Sequence, residues 1–243
     1  MRFLRQRSRV AGALGSPLVF WFLIGSGLGR SFQAGPGDAL RGGYLEYFYP
    51  GTLALIILFT AIFSTISVIE DRQEGFLQGV LVAPVPRAAI VLGKILGGTT
   101  LALLQAVVLL LLAPLAQVSL SFSTLPLLGL VVLVLAFGLT GLGFLIAWTL
   151  DSTQGFHAIM NLFLIPMWIL SGALFPASGA AGWIRWLMLM NPLTYGVSAL
   201  RGVLIGPSVT GPSMGLSLAV ISAFALFVLA AGTFAVNRSK VVH

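Results

Sequence analysis

Apolar runs of span length, broken by short polar clusters, dominate the pattern of this chain. Residues 47–69 are 23 positions without a charge, and residues 95–150 are 56 more. Crossing a bilayer as a helix takes about 20 apolar residues. In lipid every backbone group must bond within its own helix or a closed barrel. The runs lack the alternation of barrel strands. The fold class is therefore all-α, a polytopic membrane protein with six transmembrane helices. Cutting at charges and at Pro/Gly/Ser clusters places the spans at about 10–29, 47–69, 95–117, 127–150, 158–175 and 214–236. Together they make residues 1–243 one transmembrane domain. The 56-residue run is too long for one span, and residues 119–126, rich in serine and ending in Pro126, form its natural break. The fifth span is short and carries Asn161 and Pro166, which neighbouring helices can accommodate.

Composition agrees. Hydrophobic residues make up 58% of the chain and charged residues 8%, against roughly 25% charged in a soluble domain. Orientation follows from lysine and arginine, which favour the cytoplasmic side. With the N-terminus inside, nine of them face the cytoplasm (Arg2, Arg5, Arg7, Arg9, Arg72, Arg87, Lys94, Arg238, Lys240) and four face out (Arg30, Arg41, Arg185, Arg201). Both termini and the 70–94 loop are thus expected in the cytoplasm of a multi-pass protein of the cell membrane. The net charge of +7 is this topology signal rather than a nucleic-acid footprint. The basic N-terminus followed by an apolar run resembles a signal peptide. The run is longer than the usual 7–15 residues of such a segment, so it reads as a retained first span. Zero cysteines exclude disulfides and cysteine metal sites.

The spans so drawn hold no Asp, Glu, Lys, Arg or His, and Asp151 and His157 fall on an expected short cytoplasmic turn. Proton-driven transporters place ionisable groups within the membrane, so that class is not expected. Sodium coupling through carbonyls and hydroxyls stays open, but no paired broken helices mark inverted repeats. No metalloprotease, serine-hydrolase or phosphate-loop motif occurs. The chain is expected to be no enzyme and to bind no nucleotide, metal or cofactor itself. The small residues Gly138, Thr140, Gly141 and Gly143 on the fourth span read as close helix packing.

Two segments stand apart. After the second span come Glu70, Asp71, Arg72, Glu74 and Gly75, then Phe76, Leu77, Val80 and Leu81 at helical spacing on one face. Acidic residues in a first turn suit the helix dipole, and Pro84 and Pro86 end the helix. Before the sixth span lies a long amphipathic excursion, residues 176–212. Trp183, Ile184, Arg185 and Trp186 open one short helix, closed by Asn191-Pro192, and residues 193–205 form another. Arg201 sits in the second, and burying it at mid-membrane would cost about 2.5–3.5 kcal/mol on insertion scales. Both helices are therefore expected in the outer interface or dipping partway in, anchored on membrane lipids by their tryptophans.

In this order the segments resemble the membrane subunit of ABC-2 type transporters, in wording closest to the daunorubicin-resistance and nodulation-type permeases. The resemblance rests on Tyr49-Pro50-Gly51, on Ile69-Glu70-Asp71-Arg72-Gln73-Glu74-Gly75 with Leu81-Val82-Ala83-Pro84 and Gly93-Lys94, and on Ser171-Gly172-Ala173-Leu174-Phe175-Pro176. Its last part is Asn191-Pro192-Leu193-Thr194-Tyr195-Gly196-Val197 with Leu200-Arg201. It runs from about residue 16 to the C-terminus. The family often has a longer cytoplasmic helix ahead of the first span, where about nine residues stand here, so a truncated or misassigned start is expected.

The resemblance implies an exporter permease that pairs with a second copy of itself or a related permease. A separate ABC ATPase subunit, holding ATP and magnesium, would dock under each. The segment from Glu70 through Pro84 would be the coupling helix. Phe175, Pro176, Trp183, Trp186, Asn191, Pro192, Tyr195 and Arg201 would form the outer re-entrant segment. The cargo would be hydrophobic or amphipathic, drug-like or lipid-like. A permease for polysaccharide or haem-related cargo, or a non-transporting membrane scaffold, are the other readings.

Overall fold

A helix that is apolar on every face belongs in an interior, and the second expected span becomes one. In the computed structural model, which describes residues 19, 21–23, 27, 43–76, 79, 84–206 and 211–238, helix α1 (Gly43–Ser64) has 17 of its 22 residues buried. A turn at Thr65 passes it into α2 (Ile66–Gln73), and the two run continuously over 31 residues. Then follow α3 (Arg87–Leu110), a short 3-10 turn at Ala113–Ala116, α4 (Leu125–Thr149) and α5 (Thr153–Trp168). A π-helical turn, Ile169–Ala173, ends α5. Short α6 (Gly182–Met190) and α7 (Pro192–Leu204) lead into α8 (Met214–Arg238). The described residues are all helix and connection. Among the described residues, five helical stretches are long and apolar enough to cross a membrane: Gly43–Gln73, Arg87–Leu110, Leu125–Thr149, Thr153–Ala173 and Met214–Arg238. The expected first span lies almost wholly outside the described residues. Its described Trp21 is buried and meets the Tyr49 ring of α1 edge-on at 6.1 Å.

The outer helices bury one stripe and expose the other. On α5 the buried stripe is Phe156, Met160, Leu164 and Trp168, four apart. Leu162, Phe163 and Ile165 are exposed beside it, as a lipid-facing helix allows. On α4 the small residues bring α8 close: a Cβ on Gly141 would stand 2.5 Å from Val228 Cγ2. This is the close packing expected of that stretch.

Three boundaries differ from the pattern, each for a local reason. Helix α1 begins at Gly43, four residues early, and takes in Glu46, which is 9% exposed. An acidic residue suits the positive end of a first turn, so charge alone did not mark the edge. Helix α3 starts at Arg87 and stops at Leu110, well before the expected 95–117. Arg87 and Lys94 are tolerated inside it because helical side chains point toward the N-terminus and long cationic ones carry their heads to the polar end. Residues 151–157 are not a turn: Ser152 caps α5, its Oγ accepting from Gly155 N at 3.0 Å. His157 therefore lies on the helix, 5.4 Å from the Phe63 ring.

Candidate functional site

Helix direction sorts the polar groups to the two ends of the bundle. One end gathers the close of α2, the start of α3, the α4–α5 turn and the close of α8. Helix α2 ends at Gln73 with Glu74 as its cap and Gly75 at φ +75°, a left-handed position glycine takes without strain. The sequence pattern ran one helix through this point. Glu70, Asp71 and Arg72 belong instead to the last turns of α2, so the acids do not sit in the first turn of a coupling helix. Phe76 follows that break. It is 61% exposed, with Glu74 and Gly75 exposed ahead of it and Pro84 exposed behind. Leu77, Val80 and Leu81 lie outside the described residues.

Asp71 and Arg72 spend their charges within the chain. Asp71 pairs with Lys94 of α3. The Arg72 guanidinium donates to Trp148 O at 2.6 Å, to Leu150 O at 3.3 Å and to Asp151 Oδ1 at 3.2 Å, and it lies 5.2 Å from the Trp148 ring centroid. It thereby caps the C-terminus of α4, where carbonyls lack helical donors and a cation suits the dipole. Gln73 adds a bond to Asp151 O at 2.9 Å. Arg87 does the same for α8, donating from Nη1 to Val236 O and Asn237 O, both at 2.8 Å. The two arginines were counted in sequence only as topology signals or partner contacts. Nothing in the pattern showed that helix ends would lie beside them.

Tyrosines serve the opposite end. Three on α1 donate to carbonyls of other segments: Tyr44 to Leu174 O at 3.1 Å, Tyr47 to Gly172 O at 3.1 Å and Tyr49 to Leu109 O at 2.7 Å. Trp168 Nε1 returns a bond to Gly51 O at 2.8 Å. The outer expected segment assembles here in part. Asn191 caps α7 through Leu193 N and donates to Met167 O at 2.6 Å. Tyr195 donates to Leu189 O at 3.0 Å. Pro192 opens α7. Trp183 and Trp186 stand exposed on α6, while Phe175 and Pro176 are half-buried in the link to it.

Arg201 of α7 is shielded by the protein itself: it is 5% exposed, stacked 4.1 Å from the Tyr47 ring and donating to Gly172 O at 2.9 Å. Alongside runs an apolar groove of about 750 Å³, lined by Leu142 and Ile146 of α4, Phe163 and Met167 of α5, and Leu187 and Met190 of α6.

Helices long and apolar enough to cross a membrane, with two short helices before the last of them, are the build of a multi-pass membrane protein. The chain belongs to the ABC-2 type transporter family, whose model matches residues 1–205. It is similar to the ycf38 transport permease of Cyanophora paradoxa, 28% identical over 79% of this chain and 66% of that protein. It is similar also to nodulation protein J of Sinorhizobium fredii, 26% identical over 92% of this chain and 84% of that one. A third relative is the multidrug ABC transporter permease YbhR of Escherichia coli, 26% identical over 63% of this chain and 42% of its own length. The matched part thus spans less than two thirds of the ycf38 and YbhR relatives.

Proposed function

We propose that this chain is the membrane-spanning permease subunit of an ATP-driven exporter, powered by a separate ABC ATPase that docks on residues 74–84. Permeases of this family normally work with such an ATPase. The observation that carries the reading is Phe76: a large apolar ring, 61% exposed, at the end of the bundle where charges collect. In lipid an exposed phenylalanine needs no partner. Amid charges outside the bilayer it is a ready anchor for a protein surface, since aromatic residues dominate contact energies. ATP and magnesium would stay on the ATPase. Closure of that subunit would displace the docked segment, and the permease would respond only through contacts that differ between its two states.

In this reading the charged end and both termini are cytoplasmic, and α6 and α7 are external. The permease pairs with a second copy, and a hydrophobic or amphipathic cargo passes along the exposed side of α5, where the apolar groove lies. The multidrug name of one relative supports such a cargo. The test is co-purification with the cognate ATPase. Phe76→Asp and Leu81→Asp should each release the ATPase or uncouple its ATP hydrolysis from export. Wild-type association and coupled export in both variants would overturn the docking site.

A further inference from the structure

The longest spanning stretch is not one uniform helix. Thr65 stands between α1 and α2 at φ −79° and ψ −8°. The backbone there bonds three residues back instead of four: Thr65 N to Ile62 O at 3.0 Å and Val68 N to Thr65 O at 2.9 Å. A 3-10 turn inside a longer helix often marks a hinge. Three hydroxyls gather at this one. Ser64 Oγ donates to Ala61 O at 2.6 Å, Thr65 Oγ1 to Ile62 O at 2.6 Å and Ser67 Oγ to Ser64 O at 3.0 Å. Each of them also reaches back three residues. In lipid a carbonyl without a donor is costly, so a spanning helix resists bending. Hydroxyls beside the turn give those carbonyls donors that can follow them as the angle changes.

The neighbouring helices meet the turn with glycine. A Cβ on Gly143 of α4 would stand 2.8 Å from Thr65 Oγ1 and 3.0 Å from Ile62 Cα. Gly98 of α3 lies against Ser64 Oγ, where a Cβ would also meet Thr140 Cγ2 at 2.6 Å. The turn is thus seated on bare backbone of α3 and α4. Its two sides are held differently. Helix α1 buries 17 of its 22 residues. Helix α2 buries three of eight, Ile66, Val68 and Ile69, all in its first half. Its second half is held by the pair of Asp71 with Lys94, by Arg72 at the end of α4 and by Gln73 on Asp151 O. Polar contacts at a charged end exchange for water at little cost.

We propose that the Ser64–Thr65 turn is a hinge, on which α2 swings as a short lever while α1 stays with the bundle. An ATPase docked just beyond Gln73 is what drives the lever, and to that extent the proposal rests on the reading above. It adds where in the bundle the displacement is taken up.

A chain without cysteine permits a direct measurement. Spin labels on Q73C and T149C report α2 against α4 at the charged end. Labels on L45C and L125C report α1 against α4 at the far end. Both pairs are read in the complex with its ATPase, with and without trapped ATP, and no cargo is needed. Trapped ATP should move the first pair on the order of a few ångströms, the scale of helix shifts in switching proteins, and leave the second pair unmoved. In S64A/T65V, which strips the two hydroxyls at the turn, the ATPase should still co-purify while the first pair's shift falls to less than half. If that variant does not fold, T65V alone decides, with the same expectation. A second pair that shifts as far as the first overturns the proposal, because α1 and α2 then move as one rod. So does a first pair that ATP leaves in place in an assembled complex, and so does a hydroxyl-free variant that shifts as the parent does. Failure of the docking reading looks different: the ATPase would not co-purify with the unlabelled parent chain at all.

Discussion

Arg201 and Tyr47 share one acceptor. The guanidinium and the phenol both donate to Gly172 O, at 2.9 and 3.1 Å, and the guanidinium stacks on the phenol ring at 4.1 Å. That carbonyl is exposed to side chains because Gly172 leaves the helix, at φ +80°, in the π turn that ends α5. A break in one helix thus provides what a buried cation in another requires. Thr194 and Asn191 of the same outer hairpin bond to Leu170 O and Met167 O nearby. Helix α7 and its cap are fastened to the end of α5 by these polar contacts.

Removing that cation should therefore cost stability rather than leave the surface unchanged. Arg201→Ala loses a desolvated cation–π contact and a charged hydrogen bond, together about 2–4 kcal/mol. Tyr47→Phe should cost about 1 kcal/mol, one neutral hydrogen bond. Thermal unfolding in detergent reads both. Equal melting of Arg201→Ala and the parent would show that the stack carries no stability.

Two glycines near this point should fail differently. At Gly172 an added Cβ meets only Met188 Cε, at 3.5 Å, so Gly172→Ala suffers backbone strain alone, about 1–2 kcal/mol. At Gly51 a Cβ would stand 2.6 Å from that of Ala173 and 2.9 Å from its Cα. Gly51→Ala must therefore push α1 from α5. Its signature is a larger loss in melting temperature that Ala173→Gly partly restores, whereas Ala173→Gly should do nothing for Gly172→Ala.

Much of this was legible beforehand, and the boundaries show where legibility stopped. The runs ending in α4 and α8 gave helices within two residues of the expected spans, because no charge interrupts either expected span. The third span was misplaced because Arg87 and Lys94 read as loop. Both are helical here, with their heads at the polar end of α3 against Asp71 and the end of α8. The pattern of Phe76, Leu77, Val80 and Leu81 was visible, but Gly75 as a break was not, since a lone glycine has no φ in sequence. The partners of Arg201 were invisible for the same cause: its acceptor is 29 positions away, freed by a helix break that no periodicity announces.

Topology is open to labelling. Cysteines at Ser8, Ser121, Ser178 and Ser239 enter a chain that has none. An impermeant thiol reagent should reach positions 121 and 178 in intact cells, and positions 8 and 239 only after the membrane is opened. Labelling of position 239 from outside would break the arrangement with both termini in the cytoplasm.

The isolated permease should neither hydrolyse ATP nor concentrate cargo. Its sequence carries no phosphate loop. A proton-driven cycle would need a relay of ionisable groups through the bundle. Glu46 is buried near the far end, and the next carboxylates among the described residues are Glu70 and Asp71 at the charged end. Between them α1 and α3 offer hydroxyls and one amide, such as Thr52 and the bonded pair Thr60 and Gln105. Hydroxyls back-bonded to their own helix, as Thr52 is to Phe48 O at 3.2 Å, serve packing. Vesicles holding this chain alone, under an imposed proton or sodium gradient, should show no uptake of a fluorescent amphipathic drug above its passive leak. Adding the cognate ATPase and ATP should start export, and an ATPase lacking its phosphate-loop lysine should not. Glu46→Gln, which removes the one buried carboxylate at the far end among the described residues, should leave that ATP-dependent export in place. Concentrative uptake by the chain alone, abolished by Glu46→Gln, would put a proton-coupled carrier in place of the ATP-driven permease.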